Sequence, residues 1–243
     1  MNSLRDDSKK TSFEIFDRIA KSYDLANRVL SFGLDAGWRK KVGTFLPHRT
    51  RLKLLDLATG TGDQIIMLCD SSHDIESAVG MDLSEEMLAL GRKKTSRFNG
   101  KVKMKTGDAV QLPIKDAQYD VITISFGIRN VSDVPASMKE MYRVLNKEGK
   151  ALILEFSMPE NSIFRLGHVF YLRWVVPVIG GLLSGDYAAY KYLNTSIEAF
   201  PHGDAFCKLL KEAGFEKVQA HPVTFGIATI YEAYKKQTEE LSS

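Results

Sequence analysis

The sequence predicts one α/β domain built on a mostly parallel β-sheet. From Arg51 onward, apolar runs typical of buried strands alternate with amphipathic stretches typical of helices, which favours right-handed crossovers between parallel strands. The glycine-rich stretch "LLDLATGTGD" continues the first apolar run, as at the strand-to-helix turns that hold nucleotides. The stretch "FEKVQAHPVTFGIATIYEAYK" contains two strand-like runs with a short turn around Gly226, and it predicts a C-terminal antiparallel hairpin.

Five strands and three connecting helices can be assigned in chain order. The strands are predicted from the apolar, alternating or β-branched runs "LKLLDLA", "SAVGMDL", "KVKMKTGD", "YDVITISF" and "GKALILEF". A short helix is predicted over residues 63–69, directly after the glycine turn. A second helix begins at Ser84, with Glu85 and Glu86 in the first turn, where acidic side chains are favourable. A third helix is predicted over residues 132–145.

The chain is expected to form a single domain of residues 1–243 with four parts. Residues 51–158 form a cofactor-binding core, and residues 201–235 form a C-terminal helix and the hairpin. Residues 1–50 are expected to form a helical lid, with apolar or aromatic side chains at Phe13, Phe16, Ile19 and Tyr23. Residues 160–200 form an apolar insertion, in which Pro177 and Gly180–Gly181 are expected to break any single helix. Both outer parts are expected to cover the carboxyl edge of the sheet, where ligands bind in open α/β folds.

Composition limits the classes of function. Of the 243 residues, 44% are hydrophobic and 26% are charged, which is typical of a globular protein. The net charge of +3 does not require nucleic acid and allows only a weak attraction to anionic membranes. Cys69 and Cys207 are too few for a disulfide framework and are not spaced as metal ligands, so no metal site is predicted. The polar N-terminus and the lack of about 20 consecutive apolar residues predict a soluble, cytoplasmic protein.

The glycine turn is not typical of a phosphate site. Gly60 and Gly62 allow close backbone approach, but Ile65 stands where a dinucleotide fingerprint has glycine or alanine, and no Walker-type lysine follows. Carboxylates occur in the turn or at successive strand ends, at Asp56, Asp63, Asp82 and Asp108. Because the turn has no Lys or Arg, a pyrophosphate there would meet like charge.

S-adenosylmethionine fits these charges, because it carries a sulfonium and an ammonium group beside one carboxylate. Asp82 lies 82 − 62 = 20 residues after Gly62, where such folds place the carboxylate that accepts the ribose hydroxyls. A single acid at a strand end is ordinarily only solvated, but three of them beside a glycine turn favour a cofactor site. The carboxylate of the cofactor is expected to use the helix N-terminus and the backbone N–H groups near Gly60 and Gly62.

Longer motifs resemble one family of enzymes. "LLDLATGTGD", "GMDLSEEML", "TGDAVQLP", "YDVITISFGIRNV" and "MYRVLNKEGKALILEFSMP" resemble the C-methyltransferases of menaquinone and ubiquinone biosynthesis. The opening "FDRIAKSYDLANRVLSFGLDAGWR" is similar to that family as well, so the resemblance covers residues 12–235. It implies a Rossmann-like, seven-stranded class I S-adenosylmethionine-dependent methyltransferase fold, which agrees with the predicted hairpin.

The resemblance also implies cofactor contacts at individual positions. They fall on Thr61, Asp82, Asp108, Ala109 and Ser125, in addition to Asp56, Gly60 and Gly62 of the turn itself. Ala58 departs from the broader pattern, in which many methyltransferases have glycine, and Asp108–Ala109 stands where relatives often have Asn–Ala. A small side chain at position 58 still fits a crowded turn, and a carboxylate at position 108 can still accept a hydrogen bond from adenine.

The implied reaction is methylation of a carbon atom of a polyprenyl quinol ring. The protein must hold a phenolate-activated carbon at roughly 3–3.5 Å from the sulfonium methyl group. Arg129 is the candidate that lowers the pKa of the ring hydroxyl, Asn130 the candidate that orients the ring oxygen, and Tyr23 a hydrogen-bonding partner. The alternatives are a surface ion pair for Arg129 and simple aromatic packing for Tyr23.

Three functions remain open at this stage. The first is the quinol C-methyltransferase, with demethylmenaquinol preferred over a methoxylated polyprenyl benzoquinol because the chain is short. The second is a methyltransferase that acts on another acceptor, although "GRKKTSRF" predicts a solvated helix face rather than a nucleic-acid site. The third is a non-catalytic S-adenosylmethionine-binding protein. The insertion could line a channel for the prenyl tail, rest peripherally on a membrane surface, form a homodimer interface or belong to the core.

Overall fold

Seven strands form a single sheet in the computed structural model, which describes residues 12–236. They are β1 (Leu52–Leu57), β2 (Ile75–Asp82), β3 (Val102–Thr106), β4 (Tyr119–Ser125), β5 (Leu145–Phe156), β6 (Lys217–Val223) and β7 (Ala228–Tyr234). The strand order is β3-β2-β1-β4-β5-β7-β6, and β7 is antiparallel to both of its neighbours, whereas the other pairs are parallel. The predicted class I methyltransferase sheet with its C-terminal hairpin is confirmed.

Nine α-helices are present in this part of the chain. They are α1 (Ser12–Leu30), α2 (Leu34–Gly43), α3 (Asp63–Cys69), α4 (Glu85–Thr95), α5 (Val134–Val144), α6 (Ser162–Phe170), α7 (Val176–Ser184), α8 (Tyr187–Ala199) and α9 (Asp204–Glu212). The predicted cap of α4 is confirmed, because the Ser84 side chain accepts a hydrogen bond from the backbone N–H of Met87. Asp133 caps α5 in the same way, through the N–H of Ala136, so that this helix begins two residues later than predicted.

The apolar insertion differs from its prediction. Residues 162–184 form one continuous 23-residue helix, in which α6 and α7 are joined by a π-helical segment at residues 171–175. Pro177 and Gly180–Gly181 therefore do not break it. The wider π turn, in which the N–H of Val176 donates to the carbonyl of Tyr171, lies immediately before Pro177 and accommodates the missing proline donor. Gly180 allows the ring of Tyr190 on α8 to pack directly against the helix backbone.

This helix has the length and composition of a membrane span, which corrects the expectation that the sequence contains none. The sequence does not show this helix as an uninterrupted apolar run, because Arg165, His168 and Arg173 lie within it. The inner face of the helix packs against α1 and α8, with Leu172 and Val176 buried there. A helix packed in this way is an element of the fold rather than a free-standing span, since crossing a bilayer would require that face to separate from its partners.

The buried apolar side chains form three clusters, whose positions show where the candidate site lies. Two of them cover the two faces of the sheet, one beneath α5 and α9 and the other beneath α2, α3 and α4. The third lies away from the sheet, where α1 meets the insertion helix and α8, and it contains Ile19, Leu172, Val176 and Tyr190. The side chains of Phe13 and Phe16 lie outside the described part of the chain, whereas Ile19 is buried and Tyr23 packs against this third cluster.

Candidate active site

The glycine turn connects β1 to α3 through a run of unusual backbone conformations. Gly60 and Gly62 have φ values of +55° and +87°, which glycine adopts without steric cost. A Cβ atom at Gly60 would have no neighbour within 4 Å, so the backbone faces open space there. Ala58 also has a positive φ of +46°, at the position where many related enzymes have glycine. The turn is therefore built for close approach of a ligand, with some strain stored at Ala58.

Asp56 shapes this turn from below. Its side chain is fully buried, and its two oxygens accept hydrogen bonds from the hydroxyls of Thr59 (2.6 Å) and Thr123 (2.5 Å). Burial raises the pKa of Asp56 to about 6, although both hydroxyls oppose the shift. Since both oxygens have partners within the protein, Asp56 holds the turn against β4, and its direct contact with a cofactor stays a prediction.

Asp82 lies at the carboxyl end of β2, beside the turn. One carboxylate oxygen accepts the N–H of Gly60 (2.8 Å) and the other the N–H of Ser84 (2.9 Å). Burial raises the pKa of Asp82, while these backbone hydrogen bonds oppose the shift. The backbone carbonyl of Asp82 also accepts the N–H of Gly107, which brings Asp108 and Ala109 to the same edge of the sheet. The predicted ribose and adenine positions are thus neighbours.

A lysine that no sequence motif indicates neutralises part of this acidic edge. Lys94, on α4, donates to Asp24 (2.5 Å), to the Thr61 hydroxyl (2.8 Å) and to Asp63 (2.8 Å). The Thr61 hydroxyl in turn donates to Asp24 of α1 at 2.6 Å. The turn itself lacks a cation, as the sequence shows, but folding supplies one from 31 residues away. The acidity of the loop alone is therefore a weak reason to exclude phosphate, and α1 is fastened to the turn through Asp24.

Ser125 connects the turn to a second helix. Its hydroxyl donates to the side-chain oxygen of Gln64 (2.9 Å), in the first turn of α3. The Gln64 amide then donates to the backbone carbonyl of Arg39 on α2 (3.3 Å). Phe126, the residue after Ser125, has a positive φ of +59° and packs against Phe156, with ring centroids 4.5 Å apart. A strained aromatic residue therefore follows β4 and lines the apolar cavity.

An apolar cavity of about 390 Å³ lies beside Phe126, which forms part of its lining. A volume of this size is typical of small-molecule sites. The three candidate catalytic residues Tyr23, Arg129 and Asn130 all line it, together with buried apolar side chains of α1, the insertion helix and α8. Its opening is marked by residues that both line the cavity and are solvent-exposed, namely Phe32, Leu34, Ile163, Phe164 and Phe225. Phe225 belongs to the hairpin turn, a contribution that no local sequence signal indicates.

Arg129 is buried, so the alternative of a surface ion pair is wrong. Its side chain is 3% exposed and pairs with Glu155, itself 1% exposed, at 2.7 Å between Nη1 and Oε1. The same Nη1 donates to the carbonyl of Phe126 at 2.5 Å, and the guanidinium lies 5.4 Å from the ring centroid of Phe156. The buried Nε has no hydrogen-bond partner among the described residues. Arg129 is thus fixed at the cavity wall with its Nε–H donor unused.

Tyr23 and Asn130 complete the polar end of the cavity. Burial raises the pKa of Tyr23, and the positive charges of Arg39 and Arg129 oppose that shift without reversing it. The phenol therefore stays protonated near neutral pH and can donate a hydrogen bond. Asn130 follows Arg129 in a single 3₁₀ turn, and its side-chain oxygen accepts a hydrogen bond from the hydroxyl of Tyr192 at 3.4 Å. The sequence prediction that these residues lie together is consistent with this arrangement, while their roles stay predictions.

The outer face of the insertion helix carries a continuous apolar ridge, formed by Ile163, Leu166, Phe170, Trp174, Val178 and Leu182. Apart from the first interval of three, the spacing is four residues throughout, so these side chains lie along one face. Trp174 is 67% exposed and is not among the residues of this helix that line the cavity, which include Phe164, His168 and Leu172. A role of Trp174 as a wall of a tail channel is therefore not supported by its position.

The basic run "GRKKTSRF" is largely engaged in ion pairs. Arg92 pairs with Glu85 on the same helix, Arg97 pairs with Asp70, and Lys94 is held at the glycine turn as described above. These contacts agree with a helix face whose charges are satisfied within the protein.

Comparison with known proteins identifies relatives across nearly the whole chain. The model of the ubiE/COQ5 methyltransferase family matches residues 4–235. The ubiquinone/menaquinone biosynthesis C-methyltransferase UbiE of Geotalea daltonii is 43% identical over 224 residues, which cover 91% of this chain and 95% of that protein. The demethylmenaquinone methyltransferase of Thermus thermophilus is 41% identical over 217 residues, with 89% and 98% covered. That of Thermotoga maritima is 42% identical over 226 residues, with 92% and 96% covered.

Solved structures show the same fold at lower identity. A S-adenosylmethionine-dependent methyltransferase from Thermotoga maritima, described as a possible histamine N-methyltransferase, has a TM-score of 0.65 at 20% identity and covers 93% of this chain and all of that one. Phosphoethanolamine N-methyltransferase 2 of Haemonchus contortus, in complex with S-adenosyl-L-methionine, has a TM-score of 0.57 at 16% identity and covers 80% of this chain and 51% of that one. At these identities the likeness concerns the fold alone.

Proposed function

Because the chain belongs to the ubiE/COQ5 methyltransferase family, we propose that it transfers a methyl group from S-adenosylmethionine to a ring carbon of a polyprenyl quinol. The preferred substrate is demethylmenaquinol, which would become menaquinol, and the alternative is 2-methoxy-6-polyprenyl-1,4-benzoquinol. The observation that carries the proposal is the cavity, whose lining is mainly apolar and aromatic but includes Tyr23, Arg39, Arg129 and Asn130. A quinol ring with a hydrocarbon tail has the same division of polarity.

The residues present fit S-adenosylmethionine. Asp82 would accept the ribose hydroxyls, and Asp108 and Ala109 lie beside it on the edge proposed for adenine. The open space at Gly60 leaves room for the methionine part of the cofactor beside the turn. When bound, the cofactor supplies an electrophilic methyl group.

The chain's own residues then act on the quinol. Arg129 donates from the guanidinium edge that Glu155 leaves unused, and this donation stabilises negative charge on the ring oxygen. The protonated phenol of Tyr23 donates to the same end of the ring, and Asn130 fixes the orientation of the oxygen. Phe126 and Phe156, which pack on each other and line the cavity, would exclude water from the bound quinol ring.

We extend the proposal to where the protein works. A polyprenyl quinol resides in a bilayer, and the exposed rim of the cavity is continuous with the apolar ridge of residues 163–182 through Ile163. We therefore propose that this face rests peripherally on the cytoplasmic side of a membrane, so that the tail enters the cavity without crossing water. A homodimer through the same ridge is the competing outcome. No nucleic acid is part of the proposal.

The activity is tested with purified protein, methyl-deuterated S-adenosylmethionine and each of the two quinols in detergent. Mass spectrometry should show one labelled methyl group on the ring of demethylmenaquinol. Labelling of the benzoquinol alone would move the enzyme to the ubiquinone pathway. Cofactor binding without label on either quinol, or label only on an unrelated acceptor, would contradict the proposal. Cells that lack the protein should accumulate demethylmenaquinone.

The membrane contact is tested by vesicle flotation. The double variant Leu166→Glu/Trp174→Glu should lose binding to phosphatidylglycerol-containing vesicles, because it places two charges on the ridge. Gln118→Glu adds a charge at an exposed site at the opposite edge of the sheet, just before β4, and should bind as the wild type does. Light scattering that shows a wild-type dimer and a monomeric ridge variant, without vesicle binding by either protein, would assign the ridge to a dimer instead.

A further inference from the structure

Arg39 is a buried cation without an anionic partner. Its side chain comes from α2, the residue is 7% exposed, and it lines the apolar cavity. Among the side chains that the structure describes, none forms an ion pair with its guanidinium, and its buried Nε has no hydrogen-bond partner there. Its guanidinium carbon lies 5.2 Å from the centroid of the Phe126 ring. Arg129, by contrast, has Glu155.

A buried charge without a counter-ion destabilises the folded protein unless a bound group supplies the opposite charge. Removing an arginine from water without a counter-ion is strongly unfavourable, and a cation–π contact recovers only part of that cost. Fully buried arginines are therefore almost always paired. The missing partner is expected to be an anion that is absent from the polypeptide itself.

The surroundings place this cation at the boundary between the cofactor edge and the cavity. The backbone carbonyl of Arg39 is hydrogen-bonded to Gln64, two residues after Gly62. Burial raises the pKa values of both Asp56, below the glycine turn, and Tyr23, in the cavity wall. The positive charge of Arg39 opposes both shifts. The other cation near the turn, Lys94, is already bonded to three oxygens.

We propose that Arg39 binds the carboxylate of the methionine part of S-adenosylmethionine. The glycine turn itself has no Lys or Arg, so within the turn this carboxylate could use only neutral hydrogen-bond donors. A planar guanidinium binds a carboxylate through two parallel hydrogen bonds, which are stronger than bonds to neutral groups. The inference rests on the proposed use of S-adenosylmethionine and adds a cofactor-binding residue from the N-terminal part of the chain.

The test compares two ligands that differ only in the carboxylate, S-adenosylmethionine and decarboxylated S-adenosylmethionine. Calorimetry measures the affinity of each for the wild type, Arg39→Met and Arg39→Lys. Arg39→Met should weaken S-adenosylmethionine about tenfold to a hundredfold, as for loss of a hydrogen bond to a charged group. It should leave the decarboxylated ligand within twofold of its wild-type affinity, and Arg39→Lys should show an intermediate loss for the full cofactor.

Controls separate this role from a structural one. Arg28→Met removes a half-exposed arginine of α1 that pairs with Asp35, and it should not discriminate between the ligands. Without ligand, Arg39→Met should unfold at no lower temperature than the wild type, because it removes an uncompensated buried charge. If it does not fold, Arg39→Lys carries the comparison.

Each remaining outcome overturns a different statement. Equal losses for the two ligands would show that Arg39 does not contact the carboxylate. Unchanged affinities with a lower kcat and a shifted pH profile would instead assign Arg39 to the quinol oxygen. Failure of the wild type to bind S-adenosylmethionine would refute the proposed function itself.

Discussion

Replacing Glu155 with leucine should destabilise the protein strongly, because it leaves the charge of Arg129 buried and unpaired. The two side chains are 1% and 3% exposed and lie 2.7 Å apart, so they fall in the class of buried rather than surface pairs. Removing one member of such a pair costs about 3–5 kcal/mol. Glu155 also accepts the backbone N–H of Phe156 at 2.9 Å, so the loss should not fall below that range.

The assay is thermal unfolding by circular dichroism, without ligand. For a chain of this size, 1 kcal/mol corresponds to about 2–4 °C, so Glu155→Leu should lower the melting temperature by at least about 6 °C. The double variant Arg129→Met/Glu155→Leu replaces the whole pair with apolar side chains and should recover most of that loss. Both variants should lack methyl transfer, since both lose the positioned Arg129.

Asp70→Asn provides the matched control, because the pair of Asp70 with Arg97 is about half exposed and should contribute little to stability. A melting temperature lowered by less than 2 °C in Glu155→Leu would refute the view that losing Glu155 leaves a buried, unpaired charge on Arg129. A double variant no more stable than Glu155→Leu would refute the view that the unpaired charge causes the loss.

Three further predictions concern the cofactor edge and the turn beside it. Asp82→Ala should weaken S-adenosylmethionine at least tenfold by calorimetry, since two hydrogen bonds to a charged group are lost, and an affinity within twofold of wild type would exclude the ribose role. Gly127→Ala should lower the free energy of unfolding by about 1–3 kcal/mol, because the new Cβ would overlap the Cβ of Ala58. Adding Ala58→Gly should restore stability. If the effects of the two substitutions on stability simply add, the overlap is contradicted. Asp56 has a pKa of about 6 in the folded state, against its ordinary value of 3.8. Between pH 3.8 and about pH 6 the folded protein therefore keeps a proton on Asp56 that the unfolded chain has lost, and the free energy of unfolding falls as the pH rises through this range. Relative to Asp56→Asn, the loss should reach about 3 kcal/mol, from (6 − 3.8) × 1.36, and parallel urea-unfolding profiles at pH 4.5 and pH 7 would refute it.

Local patterns are enough to predict most of the fold. The bounds of α3 are as predicted, because Gly62 ends the turn and an apolar run starts at once. The hairpin is predictable because strand-like residues flank the turn at Gly226. The insertion helix is not, because proline and glycine residues ordinarily end a helix in isolation. Here the π turn before Pro177 and the packing of Tyr190 onto Gly180 compensate for both, and only tertiary structure reveals these contacts.

The site divides in a similar way. Gly60, Asp82 and Arg129 stand in motifs, so their residue types and spacing are enough to indicate them. Glu155 also gives a signal, because a lone acid in the apolar run "ALILEF" must find a cation once that strand is buried in the sheet. Lys94 gives no such signal, since its partners lie on three different elements and its neighbours in sequence are ordinary surface cations.

The two arginines at the cavity wall have different consequences for the chemistry. Glu155 neutralises Arg129, so this residue acts on the quinol oxygen through a directed N–H donor more than through net charge. Arg39 keeps its full charge until an anion arrives, and a bound cofactor carboxylate would cancel it. The field at Tyr23 would then weaken when the cofactor binds, and the phenol would become a poorer acid at the moment the quinol is held. Binding of the cofactor before methyl transfer would therefore keep Tyr23 protonated. This suits an enzyme in which the substrate, and not the tyrosine, must carry the negative charge during methyl transfer.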